Sequence, residues 1–191
     1  MISAFVEQIV RTVIVLLCAK AEEEKTNTWL DMDIQIRKAI PEDAEVLVKI
    51  YNEAFYDDYV RYGECPAYGR SIDDMKKSII EVPKYIALSD SRPIGVISVK
   101  EKSDRVYYIG CLCVIPEFQR KGVGRQLIEF MKNQYNDWKK IELITPIDKE
   151  KNVKFYTQKC GFMIDNEEMD STVKVYHFSL HRAACNKKDI L

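Results

Sequence analysis

The sequence predicts one domain of the mixed α+β or α/β class, in which helices flank a central sheet. Its 191 residues are 47% apolar and 31% charged, and this size and composition suit a globular domain with a sizeable core. Segments with strand-like alternation and helix-like periodicity follow one another in the order βααβββαβαββ. The sequence carries no internal repeat and no low-complexity tract, so a single domain accounts for these elements.

The first half of the domain predicts a strand, two helices and three further strands. Residues 33–39 alternate as a strand, and the apolar periodicity of the following helix ends at Phe55. Periodicity is lost over residues 57–70, which predicts a loop, and Ser71 is suited to cap a second helix that ends near Glu81. Three strands are then predicted at residues 84–89, 93–100 and 105–114.

The second half predicts two helices and three strands. Val123, Leu127 and Met131 recur at helical spacing between polar residues, which predicts an amphipathic helix. The remaining elements are a strand at residues 140–145, a helix at about 149–159, and two strands near 162–166 and 172–180.

The most informative segment is residues 114–125, Val-Ile-Pro-Glu-Phe-Gln-Arg-Lys-Gly-Val-Gly-Arg, in which a strand runs into a turn that opens a helix. Backbone amides at a helix start have no intrahelical acceptor and lie at the positive end of the macrodipole, so a phosphate binds there. Gly122 and Gly124 allow the backbone to approach the phosphate oxygens. Positive charge comes from three side chains, Arg120, Lys121 and Arg125.

Two common phosphate-binding loops do not fit this segment. The P-loop pattern is a glycine, four further residues and then Gly-Lys-Ser/Thr, and no such run occurs here. The dinucleotide loop requires three glycines, and only two are present. The spacing Gln119-x-x-Gly122-x-Gly124 instead resembles the acyl-coenzyme A motif of the GNAT superfamily of N-acetyltransferases. Residues 152–162, Asn-Val-Lys-Phe-Tyr-Thr-Gln-Lys-Cys-Gly-Phe, resemble the family's Asn…Tyr…Gly-Phe segment. Together with the strand pattern, the resemblance covers roughly residues 33–182.

The resemblance implies a fold and a cofactor. The GNAT fold is a central, mostly antiparallel sheet with splayed middle strands, flanked by helices, and its cosubstrate is acetyl-CoA. The strand before the turn would pair with the acyl-CoA arm through its backbone, where an amide could polarise the thioester carbonyl. The residues that the resemblance assigns to the cofactor are Leu112, Cys113, Val114, Gln119, Arg120, Lys121, Gly122, Val123, Gly124, Arg125 and Asn152.

The resemblance also implies that Tyr156 is the general acid that returns a proton to the coenzyme A thiolate. Tyr156 stands five residues before Gly161, whereas the family usually has four, and Asn152 precedes Tyr156 by four residues rather than seven. An ungapped alignment therefore selects Thr157, but a threonine hydroxyl is too weak an acid to replace a phenol.

In this family the acceptor is selected by the loop between the first two helices and by the final strands, which here means residues 57–70 and 165–172. Both segments are acidic on balance, which favours a cationic amine, and tyrosines supply walls for its carbon skeleton. The candidate acceptor residues are Asp57, Asp58, Tyr59 and Tyr68. A polyamine, an amino sugar, an amino acid and a peptide amine all stay open.

The base that removes the amine proton is not assigned by the sequence. Glu101, Glu142 and Asp148 lie near predicted strand ends, and a water chain is the alternative. Cys111 and Cys113 are potential nucleophiles, but no histidine partner is apparent for either of them.

Composition argues against several other classes of function. The net charge is −1 and the basic residues form no long run, which argues against nucleic acid as a partner. The six cysteines are scattered without a Cys-x-x-Cys pair, which predicts reduced thiols. The only histidines, His177 and His181, offer no metal-binding spacing, so no metal is expected.

The predicted organisation is an apolar helical extension with its linker at residues 1–30, the acetyltransferase domain at 33–182 and a tail at 183–191. The apolar run in the extension is too short to span a bilayer and lacks the basic start of a signal peptide, so we expect no stable membrane insertion and a cytoplasmic location. The expected activity is acetyl transfer from acetyl-CoA to a primary amine by direct attack in a ternary complex. A non-catalytic acyl-CoA-binding regulatory module is the alternative, and a homodimer stays open.

Overall fold

The computed structural model describes residues 33–182, and the extension and the tail predicted at residues 1–30 and 183–191 lie outside them. The elements follow the predicted order βααβββαβαββ. They are β1 (Ile34–Lys38), α1 (Ala44–Tyr62), α2 (Ile72–Glu81), β2 (Lys84–Ser89), β3 (Arg92–Ser103), β4 (Val106–Val114), α3 (Val123–Gln134), β5 (Lys140–Pro146), α4 (Glu150–Lys154), β6 (Met163–Asp170) and β7 (Val173–His181).

Helix α1 is longer than the sequence predicts. It ends at Tyr62, and Gly63 closes it with φ of +75° and an N–H that donates to the Tyr59 carbonyl at 3.0 Å. The first part of the predicted loop at 57–70 is therefore wrong, because it is helical. Its stabilising partners are distant in sequence: the Asp58 carboxylate pairs with the Lys149 ammonium, and an apolar periodicity cannot reveal such contacts.

The seven strands form one sheet in the order β1-β2-β3-β4-β5-β7-β6. Only β4 and β5 are parallel neighbours, and they pair at three positions, from Val106 with Lys140 to Tyr108 with Glu142. Beyond these residues the two strands separate. The resulting space, called the β4–β5 opening below, agrees with the splayed middle strands that the sequence resemblance implies.

The sheet register shows which side chains share the face that α3 covers, called the α3 face below. The Tyr107 ring packs against Tyr135, just after α3, with ring centres 4.7 Å apart. Tyr107 pairs with Ile141 of β5, and Leu143, two residues further along β5, pairs with Phe178 of β7. Because side chains alternate along a strand, these residues share one face.

The opposite side of the sheet, the α1 face, carries Cys111 and Tyr108. The Cys111 thiol interacts with the Tyr51 hydroxyl of α1, which identifies the helix that covers this part of the face. Gly110 is an extra residue in β4, since Ser98 pairs with Cys111 while the next residue of β3 pairs with Ile109. This β-bulge puts Tyr108 and Cys111 on the same face although they are three residues apart.

Helix α4 continues into a π-helical turn at Phe155–Lys159, in which the Cys160 N–H donates to the Phe155 carbonyl at 3.2 Å. A π turn accommodates one extra residue in a helix. It thus explains why Tyr156 stands five residues before Gly161 rather than four. Gly161 ends the turn with φ of +77°.

Candidate active site

The turn between β4 and α3 has left-handed backbone dihedrals at two positions. Gly122 precedes α3 with φ of +84°, and Arg120 also has a positive φ, of 63°. These left-handed dihedrals turn the chain sharply from the strand into the helix. Amides of the first turn of α3 have no acceptor within the helix and point out of its positive end, where an anion is their complement.

The second glycine of the motif has a packing role that the sequence did not reveal. A Cβ atom on Gly124 would lie 3.3 Å from Cζ of Phe155, closer than most carbon contacts allow. The absence of a side chain therefore lets the start of α3 approach the π turn that carries Tyr156. Gly124 couples the phosphate turn to the catalytic tyrosine candidate.

Basic side chains surround the turn. Arg120 and Arg125 are exposed on either side of Gly122, and the Lys121 ammonium lies 5.0 Å from the centre of the Phe118 ring. Arg92, from the start of β3, approaches the same ring at 5.2 Å, but it pairs with Glu117 at 2.7 Å; no sequence motif marked this residue. The positive charge that a pyrophosphate needs would come from Arg120, Lys121 and Arg125.

The end of β4 borders the β4–β5 opening. Its last three residues pair with β3 along one edge and have the opening along the other: Leu112, Cys113 and Val114. The Gln119 side chain donates to the Val114 carbonyl at 3.0 Å, which ties the phosphate turn to the strand end. An extended acyl-CoA arm would therefore find backbone groups along this edge.

Tyr156 projects toward the same opening. Its ring is 8% exposed and packs against Phe162 and Phe178, with ring centres 5.8 and 5.6 Å away. Burial raises the pKa of Tyr156 above its ordinary value, and the nearby Cys111 thiol adds to this effect. Cys111, Cys113 and Tyr108 of β4 all lie near enough to the phenol to raise its pKa, which indicates that the phenol lies close to this strand.

The alternative proton donor is engaged elsewhere. The Thr157 hydroxyl donates to the Val153 carbonyl at 2.8 Å, within its own helix. Asn152 lies at the start of α4, and its side-chain amide donates to the Thr145 hydroxyl at 3.4 Å. Asn152 thus joins α4 to the end of β5 at the edge of the opening.

A group of polar residues that the sequence did not connect surrounds Cys111 beneath α1. Hydrogen bonds from Cys113 and Tyr51 lower the pKa of the Cys111 thiol, and the cations of Lys84 and Arg70 contribute. Lys84 is 3% exposed and donates to the carbonyls at the end of α2, the nearer at 2.7 Å. Burial lowers the pKa of Lys84 to about 8.

The candidate acceptor residues cluster at the end of α1. Tyr59 and Tyr68 stack with ring centres 4.6 Å apart, while Asp57 is exposed and Asp58 pairs with Lys149. The pairing of Asp58 neutralises one of the charges that the sequence assigns to amine attraction. Beside this cluster, α1 and the segment after β4 enclose a cleft of about 540 Å³, lined by Asn52, Glu53, Tyr56, Ile115, Pro116 and Glu117.

The end of α1 and the loop that follows it contact two neighbouring loops of the C-terminal half. Glu64 accepts a hydrogen bond from the Thr172 hydroxyl, in the β6–β7 turn, at 3.0 Å. The Tyr62 hydroxyl donates to Asp148, in the β5–α4 loop, at 2.7 Å. Tyr108 lies on the α1 face, and its pKa is raised by burial and by the nearby carboxylate of Asp170.

Comparison with known proteins identifies the family. The model of the Acetyltransferase (GNAT) family matches residues 45–162, more than half of the chain. The chain belongs to the GNAT family. Two curated Bacillus subtilis proteins are similar to parts of it: the uncharacterised protein YrkN is 31% identical over 81 residues, and the UPF0157 protein YqkA is 32% identical over 105 residues. These matches cover 42% and 55% of this chain, but the chain spans only 44% of YrkN and 29% of YqkA.

Solved structures share the GNAT fold. The PaiA N-acetyltransferase of Thermoplasma acidophilum, in complex with coenzyme A, superposes with a TM-score of 0.61 at 20% identity, covering 79% of this chain and 100% of that protein. The spermidine N-acetyltransferase of Vibrio cholerae, in complex with coenzyme A and spermine, superposes with a TM-score of 0.64 at 17% identity, covering 78% and 95%.

The three base candidates from the sequence are all engaged in this GNAT protein. A hydrogen bond from Lys140 lowers the pKa of Glu142, and Lys102 contributes to this effect. Asp148 accepts from Tyr62, and Glu101 lies in the β3–β4 hairpin, where it accepts from the Arg105 amide at 3.4 Å. Glu142 therefore holds its charge but is weakened as a proton acceptor.

Neither a metal site nor a membrane span is found in the described part of this GNAT chain. Residues 33–182 contain no cluster of three or more histidine, cysteine or carboxylate side chains that could hold a metal ion. Among the same residues, no helix is both long and apolar enough to cross a bilayer.

Proposed function

We propose that this protein is an N-acetyltransferase that transfers the acetyl group of acetyl-CoA to a primary amine of a small molecule or peptide, by direct attack in a ternary complex. The observation that carries the proposal is the position of Tyr156, a buried phenol that faces the β4–β5 opening beside the phosphate turn. A module that only bound acyl-CoA would have no use for a proton donor at this position.

The steps follow from the residues around the opening. The pyrophosphate would bind the amides and cations of the turn at Gly122, and the acyl arm would lie along the edge of β4. A backbone amide of Leu112, Cys113 or Val114 would stabilise the oxyanion that forms when the amine attacks the thioester carbon. The carbon–sulfur bond then breaks, and Tyr156 donates its proton to the departing sulfur.

Burial affects both partners in this last proton transfer. It raises the pKa of Tyr156, so the phenol is a weaker acid than tyrosine in water. The coenzyme A thiolate would form in the same buried space, where its charge is equally disfavoured and its own proton affinity rises. The difference between the pKa values of the phenol and the thiol therefore changes little, although each pKa differs from its value in water.

The acceptor amine would enter from the α1 face, next to Tyr108. Glu142 and Asp170 lie close enough to Tyr108 to raise its pKa, while the Lys102 ammonium, which pairs with Glu142, lies 5.5 Å from the centre of the Tyr108 ring, so Asp170 is the carboxylate left to attract a cation there. The stacked rings of Tyr59 and Tyr68 offer a wall for the carbon skeleton of an amine. A cationic amine fits these features, and the spermine complex of the Vibrio cholerae relative agrees with this class of acceptor.

Release of coenzyme A from acetyl-CoA across a panel of amines tests the proposal. The panel contains polyamines, amino sugars, amino acids and peptides, and a thiol reagent reports each release against a control without amine, which corrects for the protein's own cysteines. Amine-dependent release with acetylated product in the mass spectrum supports the proposal. Binding of acetyl-CoA without release for any amine contradicts it and favours the regulatory module.

A further inference from the structure

Acetyl transfer requires that the acceptor first lose a proton, and this inference rests on the proposed function. A primary alkylamine with a pKa of about 10.4 is neutral in about one molecule in 2,500 at pH 7. A protein group that accepts the proton at the site therefore has a large effect on rate. Glu101, Glu142 and Asp148 are engaged with other groups, so the remaining candidates must lie elsewhere on the α1 face.

The register of the sheet assigns His177 to this face. Phe178 packs on Tyr156 from the α3 face, so the preceding side chain of β7 points to the opposite side. His177 pairs with Ile144 of β5, two residues beyond Glu142, which in turn pairs with Tyr108 of β4. The histidine thus lies on the α1 face, near the level at which β4 and β5 separate.

A carboxylate lies beside the imidazole. Nε2 of His177 is 2.6 Å from Oε1 of Glu168, on β6, but this contact lacks hydrogen-bond geometry, and Nε2 is buried without a hydrogen-bond partner among residues 33–182. Because Nε2 is sealed from solvent, Nδ1 is the ring nitrogen left to receive a proton. The side chain of His177 is 34% exposed, so the ring is accessible although Nε2 itself is sealed from solvent.

The groups around His177 favour an incoming cation. Glu168 and Asp165 face it from β6, and Glu142 lies on the same face of β5. Two lysines oppose these three carboxylates: Lys140 contacts Asp165 and Glu142, at 3.7 and 2.8 Å, and Lys102 contacts Glu142 at 2.9 Å. The balance of charge on this surface is negative, and an ammonium group is attracted to it.

We propose that His177, which lies beside Glu168, accepts the proton of the acceptor ammonium, directly or through one water molecule. The first nitrogen proton passes to Nδ1 of His177, and the nitrogen lone pair then attacks the thioester carbon. When the carbon–sulfur bond breaks, Tyr156 gives its proton to sulfur and a second nitrogen proton replaces it. His177 finally releases its proton to water, so one proton leaves for each amide formed.

The matched variants H177Q and H181Q test this assignment, because both histidines lie on β7 and only His177 contacts Glu168. We expect H177Q to lower kcat/KM for an alkylamine by about 100-fold at pH 7, and H181Q to stay within about two-fold of the wild type. The deficit of H177Q should shrink for an amine that is already neutral at the assay pH, because such an amine has no proton to lose. Added imidazole should restore part of the activity of H177A.

Three controls separate this step from binding and folding. Melting temperature and acetyl-CoA affinity should be unchanged in H177Q, and E168Q should show a smaller loss of the same kind. Wild-type kcat/KM in H177Q, or an equal loss for charged and neutral amines, overturns the assignment of His177. Absence of turnover in the wild type with every amine overturns the proposed function itself, and the role of His177 with it.

Discussion

The substitution Tyr156→Phe tests the proton donor with little effect on the fold. The ring keeps its contacts with Phe162 and Phe178, at 5.8 and 5.6 Å between ring centres, and only the hydroxyl is lost. We expect the free energy of unfolding to change by about 1 kcal/mol or less, because only a single hydroxyl is removed and the ring packing is kept. A change in rate can then be attributed to the missing proton rather than to a damaged core.

The expected loss of kcat follows from the burial of the phenol. A positioned general acid contributes about 100-fold to 10,000-fold in rate, and a weaker acid lies at the lower end. Burial raises the pKa of Tyr156, so we expect a loss of about 100-fold, or about 2.7 kcal/mol. The raised pKa also keeps the phenol protonated, so wild-type kcat should not fall through loss of this acid below about pH 10.

The assay measures kcat, the KM for acetyl-CoA and the acetyl-CoA dissociation constant for Y156F and for the matched control Y176F. Tyr176 contacts the same Phe178 ring at 6.2 Å but lies outside the proposed machinery. Y156F should bind acetyl-CoA normally, and its deficit should shrink with a thioester whose leaving thiol is a strong acid. A wild-type kcat in Y156F, or a loss of kcat that does not depend on the acidity of the leaving thiol, would refute the reasoning.

Two further predictions concern residues around the site. Gly124→Ala should lower the free energy of unfolding by about 1 to 3 kcal/mol and weaken acetyl-CoA binding, because its Cβ would press on Phe155. Adding Phe155→Leu should restore much of the stability, measured by urea unfolding, and much of the acetyl-CoA affinity, measured by calorimetry. Lys84 is protonated in the unfolded chain up to about pH 10.5 but loses its proton near pH 8 when folded. The free energy of unfolding should therefore rise by up to about 3 kcal/mol between pH 8 and 10. A similar rise in the variant Lys84→Met would show that another group is responsible.

The order of elements could be predicted because most elements carry a local signal. Each main helix alternates apolar and polar faces, and the turn residues separate neighbouring strands. Strand β6 shows the limit of this reasoning: it extends to Asp170, beyond the predicted 162–166, and all of its residues are exposed. An edge strand without a buried face has no alternation to read, and its extent follows from pairing with β7 instead.

The turn and helix start around Gly122 could be predicted because the residues of the motif lie close together in sequence, and the phosphate-binding role of this turn and the acid role of Tyr156 stay predictions. The contacts that residues of the site make with other elements could not be predicted. Lys149 pairs with Asp58, which lies far from it in the sequence, and the Tyr51 hydroxyl of α1 interacts with the Cys111 thiol of β4. Such contacts depend on how the elements pack, and no spacing in the sequence reports them.

The π turn in α4 links the departure from the family spacing to the geometry of the site. An insertion in a regular helix would rotate every following residue by about 100° and misalign the segment that ends at Gly161. The wide turn at Phe155–Lys159 absorbs the extra residue locally, so Tyr156 can face the opening while the chain still enters β6 correctly. Gly124 contacts Phe155 at this same turn, so one packing contact supports both the phosphate turn and the proton donor. On this reasoning, the unusual spacing is compatible with catalysis by Tyr156, and it does not by itself favour the regulatory alternative.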